Sequence, residues 1–84
     1  MSYGINIFRR AQKELATLPT LVYPRVRDAI RGLANAPRPP GCKKLIGRDG
    51  WRIRVGDYRV IYEIDDNAQI ITIMHIGHRR DVYD

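Results

Sequence analysis

The sequence has little cysteine, little histidine and no long apolar run, and each shortage excludes a class of protein. Its single cysteine, Cys42, rules out an intrachain disulfide. The longest apolar stretches, such as residues 70–76, contain Thr72 and His75 and are far shorter than the roughly 20 residues that cross a bilayer. No cationic start leads into an apolar stretch, so we expect no signal peptide, no membrane association and a cytosolic protein.

A metal-binding pattern is also missing. The acidic residues are scattered, and His75 and His78 are only a pair, whereas zinc takes three or four protein ligands. We therefore predict chemistry without a metal ion or a cofactor. His75 lies on an apolar strand, and we interpret it as a core or edge histidine.

Positive charge is what the sequence does have. The net charge is +6, which favours a polyanion or an acidic partner. Residues 43–84 carry eight basic and seven acidic residues, so a basic patch there depends on placement. With 84 residues, of which 44% are hydrophobic, the chain is predicted to be one globular domain, residues 1–84.

The first half has helical periodicity after a short opening strand over residues 3–8. Ala11, Leu15 and Leu18 fall at i, i+4 and i+7, which predicts a helix over residues 9–18. A second helix is predicted from near Tyr23, with Pro24 in its first turn, to about residue 34. An irregular Pro-rich linker over residues 36–41 follows.

The second half changes to a period of two, which is typical of strands. Residues 51–55 and 58–64 are predicted to form a hairpin around the two-residue turn Gly56-Asp57. A last strand is predicted over residues 69–76, with Gly77 ending it. The two helices are expected to form a hairpin that packs on the resulting sheet, which makes the fold class α+β.

The hairpin register predicts a cluster of arginines. If Gly56 and Asp57 form the loop, Arg54 lies opposite Arg59, and Arg52 lies on the same face. Like charges directly opposite each other destabilise a sheet, so either the side chains splay into solvent or they bind an anion. Guanidinium groups bind phosphate through two parallel hydrogen bonds, and we favour a phosphate site.

Cleavage of RNA needs more than phosphate binding. A base must accept the 2′-hydroxyl proton, fixed cations must stabilise the charge at phosphorus, and the departing 5′-oxygen needs a proton. Candidates for these roles cluster near the end of the chain, at His78, Arg79, Arg80 and Tyr83. Histidine has a suitable pKa, and a tyrosine would need neighbouring cations to lower its pKa.

Two strings, WRIRVGDYRVIY at residues 51–62 and IGHRRDVY at residues 76–83, resemble the RelE/ParE toxin superfamily of type II toxin–antitoxin systems. The resemblance covers essentially the whole chain, and the tail is typical of the RelE-like branch. It implies a β-α-α-β-β-β fold, a twisted, mainly antiparallel sheet with the helix pair on one face. The implied activity is metal-independent cleavage of mRNA in the ribosomal A site. A RelB-type antitoxin would inhibit the toxin, and operator DNA would be bound only through that complex.

The resemblance also implies roles for individual residues. Arg52 and Arg54 match two basic positions that are lysines in some relatives, and Arg59 matches the phosphate-stabilising arginine. Arg79 matches an arginine that stabilises or protonates the leaving group, and Tyr83 matches the tail tyrosine that orients substrate or activates the hydroxyl. The remaining expected RNA contacts are Lys43, Lys44, Arg48 and Arg80.

The arginines at positions 52 and 54 restrict the choice of base. Because an arginine does not deprotonate near neutral pH, the base role falls to Tyr83 or His78, and the sequence does not separate these two. Two other functions also remain open. One is a ParE-type inhibitor of DNA gyrase, and the other is a non-catalytic RNA-binding module.

Overall fold

The computed structural model describes residues 2–82 and has the predicted α+β order, with one short strand added before the hairpin. In chain order the elements are β1 (Gly4–Ile7), α1 (Arg9–Ala16), α2 (Tyr23–Gly32), β2 (Lys43–Lys44), β3 (Trp51–Val55), β4 (Tyr58–Asp65) and β5 (Ile70–His78). Neither α1 nor α2 has the length and apolar character that a membrane span needs.

Several element ends differ from the sequence prediction by one or two residues. α1 stops at Ala16, where the Thr17 hydroxyl donates to a main-chain carbonyl of the last turn, and α2 stops at Gly32. β5 continues to His78, so the prediction that Gly77 ends this strand was wrong. The strand continues because β4 lies alongside it and supplies main-chain partners as far as its own first residue.

The five strands form one sheet in the order β1-β5-β4-β3-β2. β1 runs parallel to β5, and every other neighbouring pair is antiparallel, as expected of a mainly antiparallel sheet. β3 and β4 pair in the predicted register, from Val55 opposite Tyr58 to Trp51 opposite Tyr62. Because side chains alternate along a strand, this register fixes which residues face the helices.

The main core lies between the sheet and the two helices. Its buried members are Ala11, Val26, Ile30, Leu33, Ile53, Val60, Tyr62, Ile71, Ile73 and Ile76. Tyr62 is fully buried, and its hydroxyl donates a 2.7 Å hydrogen bond to the carbonyl of Pro37. Burial raises the pKa of Tyr62, so the phenol stays protonated and keeps this bond to the linker.

An ion pair holds the linker at a second point. Arg38 Nη2 lies 2.9 Å from Asp66 Oδ2 in the β4–β5 turn, and the Tyr3 hydroxyl donates to the same carboxylate at 2.7 Å. The hydrogen bonds from Arg38 and Tyr3 lower the pKa of Asp66. The Pro-rich linker is therefore fixed to the sheet at both Pro37 and Arg38.

The opposite face of the sheet has a smaller apolar cluster of its own. Leu45, Ile61 and Val82 are each no more than 5% exposed, and Met74 packs against them. A β-bulge between Ile61 and Tyr62 in the β4–β5 ladder accompanies this cluster. Neither α1 nor α2 packs its apolar residues on this face, so the exposed side chains around the cluster are available to a ligand.

Candidate active site

The three arginines of the hairpin share the face that carries no helix. Arg54 pairs directly with Arg59, and Arg52, two residues earlier on β3, pairs with Ile61. Residues directly opposite each other on an antiparallel pair point to the same side, with Cβ atoms about 5 Å apart. The predicted grouping of Arg52, Arg54 and Arg59 on one face is therefore confirmed, and we call this surface the arginine face.

The arginines differ in how much solvent they reach. Arg54 is exposed, Arg59 is half-buried, and Arg52 is only 3% exposed. Arg52 is opposite Ile61, a member of the smaller apolar cluster, and its long stem is suited to packing against such a surface. Arg54 and Arg59 consequently carry the solvent-facing charge of the arginine face.

Arg79 lies at the tip of the hairpin. Its main-chain N–H donates a 2.7 Å hydrogen bond to the carbonyl of Asp57, and its Nε lies 3.9 Å from Asp57 Oδ1. Both side chains are more than 60% exposed, so this distant pair contributes little to stability. Because Asp57 is two residues from Arg59, the tail brings a further cation to the same end of the hairpin.

His78 lies on the other side of the sheet. It pairs with Tyr58, whose side chain packs against the main core, and the two rings meet edge to face with centroids 5.4 Å apart. Its Nδ1 accepts the main-chain N–H of Arg80 at 3.2 Å, and a neutral imidazole has only one accepting nitrogen. The pairing thus places His78 on the face opposite Arg52, Arg54 and Arg59, and its role as the base stays a prediction. Tyr83 lies outside the described residues.

The predicted RNA contacts divide between the two faces. Lys43 pairs with Arg52 and belongs to the arginine face. Lys44 pairs with Trp51 on the helix side, and its Nζ lies 5.7 Å from the centroid of the Trp51 ring. Arg80 is exposed in the turn that follows β5. The sequence missed this division because it did not predict β2, whose pairing decides where each lysine points.

Arg48 lines a groove on the arginine face. The groove has a volume of about 340 Å³, and Ile61, Glu63 and Met74 contribute to its walls. Met74 was not a candidate in the sequence, because the period-two pattern does not reveal the bulge that places it here. Lys43 extends the positive surface onto β2, whereas the groove at Arg48 is also lined by the acidic residues Asp49 and Glu63.

His75 is an edge histidine, as interpreted from the sequence. Its Nδ1 lies 2.8 Å from Glu14 Oε2, and the other carboxylate oxygen accepts the main-chain N–H of Ile76 at 2.9 Å. β1 pairs with β5 only as far as Ile73, and beyond that point the Glu14 carboxylate accepts the main-chain N–H that β1 does not reach. No group of three metal-ligating side chains occurs within residues 2–82. Sequence reasoning missed Glu14, since 61 residues separate it from its histidine partner.

This arrangement is suited to binding a phosphodiester. Guanidinium groups donate paired hydrogen bonds to phosphate oxygens, and an exposed Arg54 beside a half-buried Arg59 presents two of them. Fixed cations of this kind stabilise the additional charge that develops on a phosphate under attack. The surface has the charge and geometry for both substrate binding and transition-state stabilisation.

Comparison with known proteins supports this interpretation of the fold. A family model described as the ParE toxin of a type II toxin–antitoxin system matches residues 5–83. The putative toxin RelE1 of Methanocaldococcus jannaschii is 31% identical over 99% of this chain and 97% of its own length. The toxin RelG of Mycobacterium tuberculosis is 30% identical over 99% of this chain and 98% of its own length.

Solved structures show the same architecture. The archaeal RelE–RelB complex from Pyrococcus horikoshii OT3 contains a chain that matches with a TM-score of 0.84 and 32% identity, over 98% of this chain and 100% of the other. The toxin–antitoxin complex RelBE2 from Mycobacterium tuberculosis matches with a TM-score of 0.80 and 26% identity, over 94% of this chain and 100% of the other. From its sequence, fold and length, the chain belongs to the RelE/ParE superfamily of type II toxin–antitoxin toxins.

Proposed function

We propose that this chain is a ribosome-dependent mRNA endoribonuclease that inhibits translation and growth in the cytoplasm. The observation that carries the proposal is the Arg54–Arg59 pair on an open sheet face, with Arg79 at the tip of the same hairpin. Guanidinium groups bind phosphate oxygens through paired hydrogen bonds, so two of them directly opposite each other can hold one phosphate from both sides.

The proposed reaction is attack of a 2′-hydroxyl on the adjacent phosphodiester. The new bond from the 2′-oxygen to phosphorus closes a cyclic phosphate, and the bond to the 5′-oxygen breaks. Arg59 and Arg54 stabilise the negative charge on the non-bridging oxygens. Arg79 stabilises the charge on the departing 5′-oxygen by hydrogen bonding, and solvent water supplies the proton that this oxygen takes up. Tyr83 accepts the hydroxyl proton in this scheme, and its role follows from the family pattern. Arg52 supports the charge of the face from its buried position.

The shape of the site favours action on the ribosome. The arginine face has a groove of about 340 Å³ beside Arg48, and a cavity of about 590 Å³ lies where Lys43 and Arg54 meet α2 and the Pro-rich linker. Both have the size of a small-ligand pocket, which is too small to order a nucleotide strand of several residues. A catalyst gains much of its rate from holding the reacting atoms in line. We infer that the ribosomal A site holds the mRNA and that Lys43, Arg48 and Arg80 contact the RNA around the cut.

A RelB-type antitoxin is the proposed partner. The matched structures from Pyrococcus horikoshii and Mycobacterium tuberculosis are complexes of a toxin with its antitoxin. With a net charge of +6, this chain is suited to an acidic partner segment that covers the arginine face. Operator DNA would be bound by the complex through its antitoxin.

Inhibition of DNA gyrase is the second candidate, and the description of the matching family model favours it. A gyrase inhibitor needs no nuclease site, so it predicts double-strand breaks in DNA and intact mRNA in arrested cells. Mapping of mRNA 5′ ends, with and without the neighbouring open reading frame co-expressed, separates the two functions. A non-catalytic RNA-binding module predicts binding to purified ribosomes without any cut.

Arginine variants test the catalytic assignment. Arg59→Ala and Arg79→Ala are each expected to abolish growth arrest and in-codon mRNA cleavage while thermal unfolding shows an intact fold. Arg31→Ala, an exposed change on α2, is the matched control and should remain toxic. If Arg59→Ala and Arg79→Ala both stay toxic at equal expression, the assignment is wrong.

A further inference from the structure

The chain reverses direction immediately after β5. The main-chain N–H of Asp81 donates to the carbonyl of His78 at 2.8 Å, which closes a tight turn. Within it, the N–H of Arg80 donates to His78 Nδ1 at 3.2 Å, a side-chain bond that holds the turn in place. The turn brings Val82 back over the sheet, where it is only 4% exposed.

Val82 packs directly on the backbone of Gly77. A Cβ built on Gly77 would lie 2.6 Å from Val82 Cγ2, well inside the roughly 3.5–4.0 Å at which carbon atoms attract each other. Gly77 does not adopt a positive φ, unlike Gly41, Gly47, Gly50 and Gly56. The absence of a side chain at Gly77 therefore allows the tail to pack closely on the strand. Another residue could adopt this backbone conformation, but its Cβ would clash with Val82.

This contact lies beside the arginine face, on the β5 side of Arg59. Gly77 pairs with Arg59 on β4, so Val82 packs at the strand position directly beside Arg59. Val82 also belongs to the apolar cluster that includes Ile61, the residue opposite Arg52. The tail is thus fixed to the arginine face at a point next to both the half-buried and the buried arginine.

We propose that Gly77 and Val82 are positioning residues for RNA cleavage, because their contact sets where the tail stands relative to Arg59. The inference rests on the proposed nuclease function and deepens it. Neither residue supplies a polar group to the reaction. They act through the segment that carries Arg79, so a displaced tail lowers the rate of the chemical step and leaves binding to the ribosome unchanged.

A size-exchange experiment tests this. Purified full-length toxin cleaves mRNA on programmed ribosomes, and the maximal rate and the half-saturating toxin concentration are measured separately. Gly77→Ala should lower the maximal rate by about 10- to 100-fold, because a misplacement of about 1 Å has effects of that size. The half-saturating concentration should stay within about threefold of wild type, as expected when only the transition state is affected.

A double variant tests whether Gly77 and Val82 act through their contact. In Gly77→Ala combined with Val82→Ala, the smaller residue at position 82 makes room for the new methyl group, so the rate should recover above that of Gly77→Ala. Val26→Ala, a fully buried change on α2, is the control for lost packing and should keep the wild-type rate per folded molecule.

The outcomes separate this inference from the proposed function. If wild type cleaves mRNA and Gly77→Ala is equally active, the positioning role alone is overturned. A double variant no faster than Gly77→Ala also overturns it, because the two sites would then not act through their contact. Wild type that never cleaves mRNA on ribosomes overturns the nuclease function and the positioning role together.

Discussion

Removal of one arginine from the hairpin should make the protein more stable and less active. Arg54 and Arg59 are directly opposite each other on β3 and β4, and Arg54 is exposed. Arg54→Gln removes one of the two charges and keeps most of the aliphatic stem and the ability to form hydrogen bonds. The same change takes away a guanidinium that the proposed reaction uses.

The size of the gain follows from Coulomb's law. Cβ atoms of directly opposite residues are about 5 Å apart, and we take a separation of about 7 Å for guanidinium groups that splay away from each other. Two unit charges at about 7 Å repel by about 0.6 kcal/mol in water and about 2.4 kcal/mol at an effective dielectric constant of 20. Because Arg54 is exposed, the value near water applies, and we expect Arg54→Gln to raise the free energy of unfolding by about 0.5–1 kcal/mol.

Urea unfolding at two salt concentrations measures this. The gain should be present at about 0.1 M salt, where the screening length is about 10 Å, and largely absent at about 1 M, where it is about 3 Å. Arg31→Gln removes the same unit from the net charge of +6, but Arg31 lies in the last turn of α2, where a cation is favourable, so it should give no gain. A loss of stability in Arg54→Gln, or a gain that salt leaves unchanged, would refute the reasoning.

Two further predictions concern the anchors of the Pro-rich linker. Tyr62→Phe should lower the free energy of unfolding by about 1 kcal/mol, because the buried hydrogen bond to Pro37 is lost, and an unchanged urea midpoint would contradict this. Asp66→Asn should destabilise the protein at neutral pH, because Arg38 and Tyr3 lower the pKa of the carboxylate in the folded state. That contribution is present above pH about 4 and is lost as the pH falls through the lowered pKa, so the melting temperatures of wild type and variant should converge in acid.

The stability gain expected of Arg54→Gln has a functional meaning. Sites that bind a charged ligand commonly hold like charges closer together than the fold alone favours. In this chain the sheet holds the charged pair in place, and Arg52 lies almost completely buried beside it. A covering antitoxin or an RNA phosphate would both relieve the repulsion, so either ligand is expected to raise the melting temperature of the toxin.

Local patterns determined the hairpin completely. The two-residue turn Gly56-Asp57 fixes the register, and a period of two then places Arg52, Arg54 and Arg59 on one side. The apolar stripes of both helices predicted their existence and their packing on the sheet. Each of these predictions depends only on residues that are close in sequence. The turn type and the side-chain period of a helix or strand are therefore sufficient to make them.

Only the tertiary structure decided the surroundings of the arginines. The face on which His78 lies depends on the pairing of β5 with β4, which an unpredicted bulge shifts by one residue. The pairing of Glu14 with His75 and the packing of Val82 on Gly77 require chain segments to meet in space, and no periodicity encodes such meetings. The sequence by itself thus determined which cations cluster, and the folded chain decided which of them reach solvent and what holds the tail beside them.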